Sequence, residues 1–191
     1  MKILSFDPSK NPHLAEIKVS SDLVYAGNFL QVQKDTVTLP DGKQVSREYI
    51  KHPGAVVILP LFDDGTVLME RQFRYPLNRV FLEFPAGKID PNEDPLVCAK
   101  RELQEETGYT AKHWRFLCTI HNAIAYSDEH LDVYLATDLL AGPTQLDQGE
   151  FLETFHAPVA EVLSWVKSGH LTDVKTVIGA FWLEKIIKEQ W

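Results

Sequence analysis

The segment from residue 94 to residue 108 carries the signals of a single amphipathic helix. Asp94 is a preferred N-cap residue, Pro95 suits the first helical position, and Gly108 tolerates the left-handed conformation that ends many helices. An apolar stripe recurs at helical spacing between them, at Leu96, Ala99 and Leu103. The segment therefore predicts a helix from Pro95 to about Thr107 with one face packed on a core.

The same helix carries an acidic triplet, Glu102, Glu105 and Glu106, at positions i, i+3 and i+4. Carboxylates this close repel one another and destabilise a helix, so another group must offset their charge. Lys100 and Arg101 offset it in part, and a divalent cation, which prefers hard oxygen ligands, offsets it better. A solvated acidic helix face is the alternative, and the triplet alone leaves both interpretations open.

The remainder of the chain alternates strand-length segments with turn signals. Ala55–Leu61 is a continuous apolar run with the length of a buried strand. Asp41-Gly42 and Asp63-Asp64-Gly65 are typical of hairpin turns. Two more helices are predicted, ending near Ser168 and Glu189. Because strands and helices do not alternate regularly, we predict an α+β fold with a mixed sheet, not a doubly wound one.

The chain divides into two predicted parts, a β unit over residues 1–50 and a main domain over residues 51–191. Residues 1–22 are polar and predict an arm with little core, and the strands that follow form an antiparallel unit of about 30 residues. Such a unit is too short to bury much surface alone. We therefore expect it to pack on the rest of the chain or on a second copy, which predicts a homodimer.

Composition excludes several classes of protein. The 191 residues fit one ordinary domain with a small addition, and the net charge of −8 disfavours nucleic-acid binding through phosphate contacts. No apolar run approaches the ~20 residues of a membrane span, and the N-terminus lacks a secretory signal. The two cysteines, Cys98 and Cys118, fit a reducing compartment. We therefore expect a cytoplasmic protein that binds neither nucleic acid nor membrane.

The run from Gly87 to Tyr109, GKIDPNEDPLVCAKRELQEETGY, resembles the full signature of the Nudix hydrolases. The filled positions are Gly87, Glu93, Arg101, Glu102, Leu103, Glu105, Glu106, Gly108 and Tyr109. The flanking runs Gln72–Tyr75 and Glu83–Gly87, with the N-terminal strands, are similar to the ADP-ribose pyrophosphatase branch. The resemblance implies a Nudix-type α/β/α sandwich with a small N-terminal antiparallel β unit.

The resemblance also implies metal-dependent hydrolysis of ADP-ribose or related nucleoside diphosphate sugars, giving a nucleoside monophosphate and a sugar phosphate. Mg²⁺ or Mn²⁺ would be the cofactor. The implied metal ligands are Glu102, Glu105, Glu106 and the carbonyl oxygen of Ala86. Arg101 would orient the glutamates, and Glu105 is either a third ligand or a base for water. Glu93 either supports the loop before the helix or simply faces solvent.

Other implied site residues lie outside the signature. Glu150 is the best match for a catalytic base on a mobile loop and Glu153 is the alternate, although Gln148 stands where relatives often carry an acid. The implied substrate contacts are Arg74 on phosphate, Phe29 or Tyr25 on the base, Arg47 on the nucleotide of a partner subunit, and Glu129 on ribose. Core or surface strand positions are the alternative for each of these residues.

One departure from the branch bears on specificity. Ala125 stands where the branch typically has a proline, which favours a broader choice of nucleoside diphosphate sugars. Two other functions stay open: hydrolysis of another nucleotide, such as a dinucleoside polyphosphate or coenzyme pyrophosphate, and a non-catalytic nucleotide-sensing module. The sensing module is disfavoured because Arg101 and the three glutamates are all present.

Overall fold

A computed structural model describes residues 7–146, 149 and 151–191. The chain divides into two compact units. The first, here called the N-terminal unit, comprises Met1–His52 and Ala123–Glu129. The second comprises Pro53–Asn122 and His130–Trp191, and it is here called the catalytic unit because it contains the residues predicted to bind the metal.

The N-terminal unit is built on a three-stranded antiparallel sheet in the order β1-β2-β3. Its strands are β1 (Ile17–Ala26), β2 (Gln31–Thr38) and β3 (Gln44–Lys51). Gly42 turns the β2–β3 hairpin with a φ of +84°, as the Asp41-Gly42 pair predicted. The expectation of an arm up to residue 22 was wrong, because residues 17–22 pair with β2. Every residue of β1 is exposed. The strand therefore has no buried face that an apolar pattern in the sequence could have indicated.

The segment Ala123–Glu129 belongs to the N-terminal unit although its neighbours in the chain do not. The backbone N–H of Ile50 donates to Tyr126 O at 2.8 Å, and that of Asp128 donates to Ile50 O at 3.2 Å. The Asp128 carboxylate accepts from the backbone N–H of His52 at 2.7 Å and from Lys51 Nζ. These bonds hold the segment against β3.

The catalytic unit contains a mixed four-stranded sheet in the order β7-β4-β9-β8. Its strands are β4 (Ala55–Pro60), β7 (Ala86–Lys88), β8 (Tyr109–Ile120) and β9 (Leu131–Ala141). β4 and β9 run parallel, and the other pairs are antiparallel. Every residue of β4 is buried, as its continuous apolar run predicted.

A second sheet of the same unit has the order β10-β5-β6 and is antiparallel. It consists of β5 (Thr66–Arg74), β6 (Arg79–Glu83) and β10 (Leu152–Pro158). β5 follows the predicted turn, in which the Asp64 carboxylate accepts from the backbone N–H of Thr66 at 2.9 Å. Gly65 in this turn has a φ of +80°.

Three α-helices complete the catalytic unit: α1 (Pro95–Thr107), α2 (Val159–Ser168) and α3 (Val174–Ile187). The caps of α1 are those that the sequence predicted. Asp94 accepts from the backbone N–H groups of Leu96 and Val97, and Gly108 ends the helix at a φ of +75°. None of the helices in the described residues is long and apolar enough to cross a membrane.

The core lies on both faces of β4 and β9. Val56 and Ile58 point into an apolar cluster with Ala99 and Leu103 of α1. The intervening residues of β4 face a larger cluster with α2, α3 and β5. Each fully buried aliphatic side chain of this kind contributes about 1.5–3 kcal/mol to stability. The mixed sheet thus has helices on both faces, which confirms the predicted α/β/α sandwich.

Candidate active site

The site begins where β7 meets α1, at the close approach of Gly87 to Glu102. A Cβ atom at residue 87 would lie 1.8 Å from Cδ of Glu102, so only glycine leaves room for this carboxylate. The Glu102 carboxylate is therefore placed directly against the backbone of β7.

Glu106 lies one helical turn beyond Glu102, on the same side of α1. It is only 5% exposed, and its carboxylate accepts from the backbone N–H of Ala86 at 3.2 Å. Glu102 and Glu106 thus both meet the Ala86–Gly87 backbone. The i, i+4 spacing seen in the sequence is the reason they converge there.

Arg101 links the acidic side chains around the site. Its Nε and Nη2 donate to the two carboxylate oxygens of Glu93, each at 2.9 Å. Its Nη1 donates to Glu102 at 2.8 Å and to Glu105 at 3.0 Å. A paired fork of this kind is among the stronger charge-assisted contacts. One guanidinium thus offsets much of the repulsion among the carboxylates.

The electrostatics of the network follow from these contacts. The hydrogen bonds from Arg101 lower the pKa of Glu93 from its ordinary 4.5 to about 2. The pKa of Arg101 is raised, first by Glu93 and then by Glu105 and Glu102. Burial raises the pKa of the neighbouring Cys98 thiol to about 12, and the charges of Glu93 and Glu102 add to that effect. At neutral pH, Glu93 and Arg101 are therefore an ion pair and Cys98 is a neutral thiol.

The carboxylates suit a divalent metal with hard character. Within the described ranges, no three Asp, Glu, His or Cys side chains are grouped so as to hold a metal by themselves. Magnesium, however, is commonly bound by one or two carboxylates, with waters and substrate phosphates filling the remaining positions. Glu102 and Glu106, placed beside the Ala86 backbone, fit that pattern.

A second charged cluster lies at the end of β6. Arg74 Nε and Nη2 donate to the two oxygens of Glu83, each at 2.7 Å, and Lys175 Nζ donates to the same carboxylate. Burial would raise the pKa of Glu83, but the bonds from Arg74 and Lys175 outweigh it and leave the pKa lowered. The pKa of Arg74 is raised, chiefly by its bond to Glu83.

Sequence reasoning named Arg74 but not this cluster. Glu83 and Lys175 stand 92 positions apart, so no local pattern relates them. The apolar surroundings of Glu83 in the run Phe81–Phe84 were the one available signal, because a carboxylate within a buried strand needs a cationic partner.

Three of the predicted substrate residues belong to the N-terminal unit. Arg47 pairs with Glu16, with Nε and Nη2 donating at 3.0 and 2.6 Å. Phe29 and His52 pack edge to face with ring centroids 6.0 Å apart, and His52 Nε2 lies 3.7 Å from the Glu129 carboxylate. Phe29 and Glu129 therefore contact a common residue.

The predicted catalytic base, Glu150, lies outside the described residues. Its alternate, Glu153, is on β10, where its carboxylate accepts from Arg71 Nη2 of the neighbouring strand. The Glu153 side chain is 69% exposed. Glu153 thus forms an exposed ion pair with Arg71, and it stays the alternate candidate for the base.

This fold and this site define an α/β/α sandwich in which a helix rich in glutamate packs against a mixed sheet. Comparison with known families identifies which one. Residues 51–176 match the NUDIX domain, and residues 16–50 match the nucleoside diphosphate sugar hydrolase N-terminal domain. The chain belongs to the Nudix family, which confirms the resemblance read from Gly87 to Tyr109 and the prediction of a Nudix hydrolase. Enzymes of this family generally use divalent metal ions.

Individual relatives cover nearly the whole chain. The ADP-ribose pyrophosphatase of Bacillus subtilis (strain 168) is 37% identical over 173 residues, which are 90% of this chain and 94% of the relative. The methanol dehydrogenase activator of Bacillus methanolicus is 33% identical over 88% of this chain and 92% of its own length. A crystal structure of an ADP compounds hydrolase matches 93% of this chain and 97% of its own with a TM-score of 0.83. At 23% identity, that structure supports the fold alone.

Proposed function

We propose that this chain hydrolyses the pyrophosphate bond of ADP-ribose and related nucleoside diphosphate sugars. The products would be a nucleoside monophosphate and a sugar phosphate. The observation that carries the proposal is the convergence of Glu102 and Glu106 on the Ala86–Gly87 backbone, in a chain similar over 90% of its length to an ADP-ribose pyrophosphatase. The match of residues 16–50 to the N-terminal domain of nucleoside diphosphate sugar hydrolases supports the substrate class.

Glu102, Glu106 and the carbonyl oxygen of Ala86 would hold the metal ion, with Glu105 as a third ligand. Mg²⁺ is the proposed ion and Mn²⁺ a substitute, because both take oxygen ligands. Such an ion neutralises phosphate charge and lowers the pKa of bound water. Arg101 would keep the carboxylates of Glu102 and Glu105 oriented through the bonds it donates to them.

Proton transfer would fall to a carboxylate. The oxygen of water bonds to one phosphorus, the bridging P–O bond breaks, and the proton of the water passes to the base. Glu150 is the proposed base, with Glu105 as the other candidate. The sequence around Glu150, Asp147-Gln148-Gly149-Glu150, supports this assignment because it predicts an acidic loop.

Four residues are proposed to bind the substrate. Arg74 would contact the diphosphate, Phe29 the base, Arg47 the nucleotide and Glu129 the ribose hydroxyls. Among the described residues, the hydrogen bonds of Arg74 use Nε and Nη2, which leaves Nη1 for a phosphate oxygen. An aromatic ring such as that of Phe29 can stack on any base.

A homodimer and a cytoplasmic location are part of the proposal. In the three strands of the N-terminal sheet, all of them described, only Asp35 and Val37 are buried, while Ile17, Leu23 and Tyr25 are each more than half exposed. A second copy would cover this apolar surface, and Arg47 would then serve the partner's site. Cys98 and Cys118 are both free thiols, which fits a reducing compartment.

A phosphate-release panel tests the function. The purified protein is incubated with ADP-ribose, ADP-glucose, GDP-mannose, UDP-glucose, diadenosine polyphosphate and NADH, with Mg²⁺ or with EDTA. A phosphomonoesterase reports the new terminal phosphates. We expect metal-dependent turnover of ADP-ribose and at least one other nucleoside diphosphate sugar. Turnover of diadenosine polyphosphate or NADH alone would change the substrate class, and binding without any turnover would favour a sensing module.

A further inference from the structure

Glu83 is shared by two cations that come from different parts of the catalytic unit. It ends β6, is only 3% exposed, and accepts from both nitrogens of the Arg74 fork. Lys175 Nζ donates to Oε2 of the same carboxylate, the oxygen that also accepts from Arg74 Nη2. The orientation of the carboxylate is therefore determined jointly by Arg74 and Lys175.

Lys175 is itself held by the start of α3. Its Nζ donates to the Asp173 carboxylate at 2.9 Å, and Asp173 caps the helix by accepting from the backbone N–H of Thr176 at 3.1 Å. The Thr176 hydroxyl accepts from the backbone N–H of Phe84 at 3.2 Å, directly after Glu83. Two contacts thus tie the first turn of α3 to the end of β6.

The end of β6 leads directly into the proposed metal site. Residues 84 and 85 connect Glu83 to Ala86. The backbone N–H of Ala86 donates to the Glu106 carboxylate. The ring of Phe84 is fully buried, and a Cβ atom at Gly179 of α3 would lie 2.9 Å from it. The pKa of Arg74 is raised first by its hydrogen bond to Glu83, and the negative charge of Glu106 also contributes. The Arg74–Glu83–Lys175 group therefore lies close to the proposed metal ligands.

The charges explain why the second cation matters. With Arg74 alone, each oxygen of the buried Glu83 carboxylate would still accept one hydrogen bond, but Arg74 would be the single cation in contact with it. Lys175 supplies a further positive charge, which makes the group neutral when Asp173 is included. Without Lys175 the same group would carry one net negative charge, which repels an anionic substrate. Arg74 can then offer its Nη1 to an anion while Nε and Nη2 stay fixed on Glu83.

We propose that Lys175 is a positioning residue that acts through Glu83 to hold the Arg74 guanidinium ready for the diphosphate of the substrate. The proposal rests on the proposed function for its substrate, and on the three-residue contact for its mechanism. Lys175 touches neither the substrate nor the metal in this scheme. Replacing Lys175 should therefore have no effect on substrate binding when Arg74 is absent.

A double-mutant cycle tests that dependence. The four proteins are the wild type, Arg74→Ala, Lys175→Met and the double variant, each assayed for kcat and KM with ADP-ribose. We expect Lys175→Met to raise KM about tenfold, the loss of roughly one charge-assisted contact, with a smaller change in kcat. The double variant should have the same KM as Arg74→Ala, because Lys175 affects the substrate only through Arg74. Lys175→Arg keeps the positive charge, and its KM should be close to that of the wild type.

Two further measurements make the result decisive. Lys167→Met removes an exposed helical lysine of α2 and should leave KM unchanged. Calorimetric binding of inorganic pyrophosphate to the same four proteins repeats the cycle without catalysis. Non-additive losses of pyrophosphate binding support the proposal even if ADP-ribose is not hydrolysed, which would overturn only the proposed function. Additive losses, a kcat effect without a KM effect, or no pyrophosphate binding by the wild type would overturn the role of Lys175.

Discussion

Glu93 and Arg101 form a fork in which each carboxylate oxygen accepts from a different guanidinium nitrogen, both at 2.9 Å. Glu93 lies in the loop before α1, and its Oε2 also accepts from the backbone N–H of Asp90 at 3.0 Å. The pair therefore fastens the loop to the helix that carries the proposed metal ligands. Of the two interpretations that the sequence left open for Glu93, the structure supports the loop-supporting one.

Replacing Glu93 should reduce stability in a pH-dependent way. We expect Glu93→Gln to lower the free energy of unfolding by about 1–3 kcal/mol at pH 7, because Arg101 loses a charged partner. Since Arg101 lowers the pKa of Glu93 from 4.5 to about 2, this stabilisation is present above pH 4.5 and is lost as pH falls toward 2. Denaturant unfolding at pH 7 and pH 3 measures the difference.

The control for this prediction is Glu189→Gln, which neutralises an exposed carboxylate near the C-terminus. It should change the free energy of unfolding by less than about 0.5 kcal/mol. An equal loss at pH 7 and pH 3 for Glu93→Gln would contradict the assignment of the stabilisation to ionised Glu93.

Adding a methyl group at Gly87 should displace Glu102. In Gly87→Ala the new Cβ would lie 1.8 Å from Glu102 Cδ, so the carboxylate must move away from the β7 backbone. A displacement of about 1 Å in a positioned group can cost roughly 100-fold in rate, and we expect a fall in kcat of that order with ADP-ribose. Gly65→Ala is the matched control, because a Cβ there meets nothing within 4 Å. Its kcat should stay near that of the wild type, although its left-handed turn lowers stability.

The parts of the fold that sequence reasoning predicted are those determined by local signals. The bounds of α1 follow from Asp94, Pro95 and Gly108, and each of these residues acts within one helical turn. The burial of β4 follows from its uninterrupted apolar run. The sequence does not indicate the start of strand β8 at Tyr109, because the first residues of this strand lack a strong apolar pattern.

Contacts between distant segments account for what the sequence could not show. The acidic spacing on α1 indicated a site, but the approach of Glu102 to Gly87 depends on the pairing of β7 with β4. The contact between Glu83 and Lys175 depends on where α3 begins relative to β6. Tertiary packing decides both, and a pattern within one element does not contain them.

Removing the buried carboxylate of Glu106 should weaken metal binding. We expect Glu106→Gln to lower the affinity for Mn²⁺, used as a spectroscopic probe for Mg²⁺, by at least about tenfold, because an amide oxygen carries no negative charge. Titration of the free protein by electron paramagnetic resonance measures this without substrate. Glu161→Gln on α2 is the control and should bind Mn²⁺ as the wild type does. Equal affinity in all three proteins would exclude Glu106 as a ligand.

The thiol of Cys98 should be nearly inert in the folded protein. With a pKa raised from 9.0 to about 12, its thiolate fraction at pH 8 falls from about one in ten to about one in ten thousand. The pKa of Cys118 is raised as well, again first by burial. We expect slow reaction with an aromatic disulfide reagent at pH 8 and two rapid equivalents in guanidinium chloride. A fast equivalent that persists in Cys118→Ser but not in Cys98→Ser would show that Cys98 is accessible and ionised.

We expect opposite effects on kcat when Glu150 and Glu153, the two candidates for the catalytic base outside α1, are replaced. Glu153 is engaged by Arg71 across adjacent strands and is largely exposed, so Glu153→Gln should change kcat by less than about threefold. Glu150→Gln should lower kcat by about 100- to 1,000-fold with little change in KM, because a base acts mainly in the transition state. Both variants are assayed with ADP-ribose at saturating Mg²⁺ between pH 6 and pH 9. A large loss in Glu153→Gln with normal activity in Glu150→Gln would transfer the role to Glu153, and full activity in both would leave Glu105 as the base.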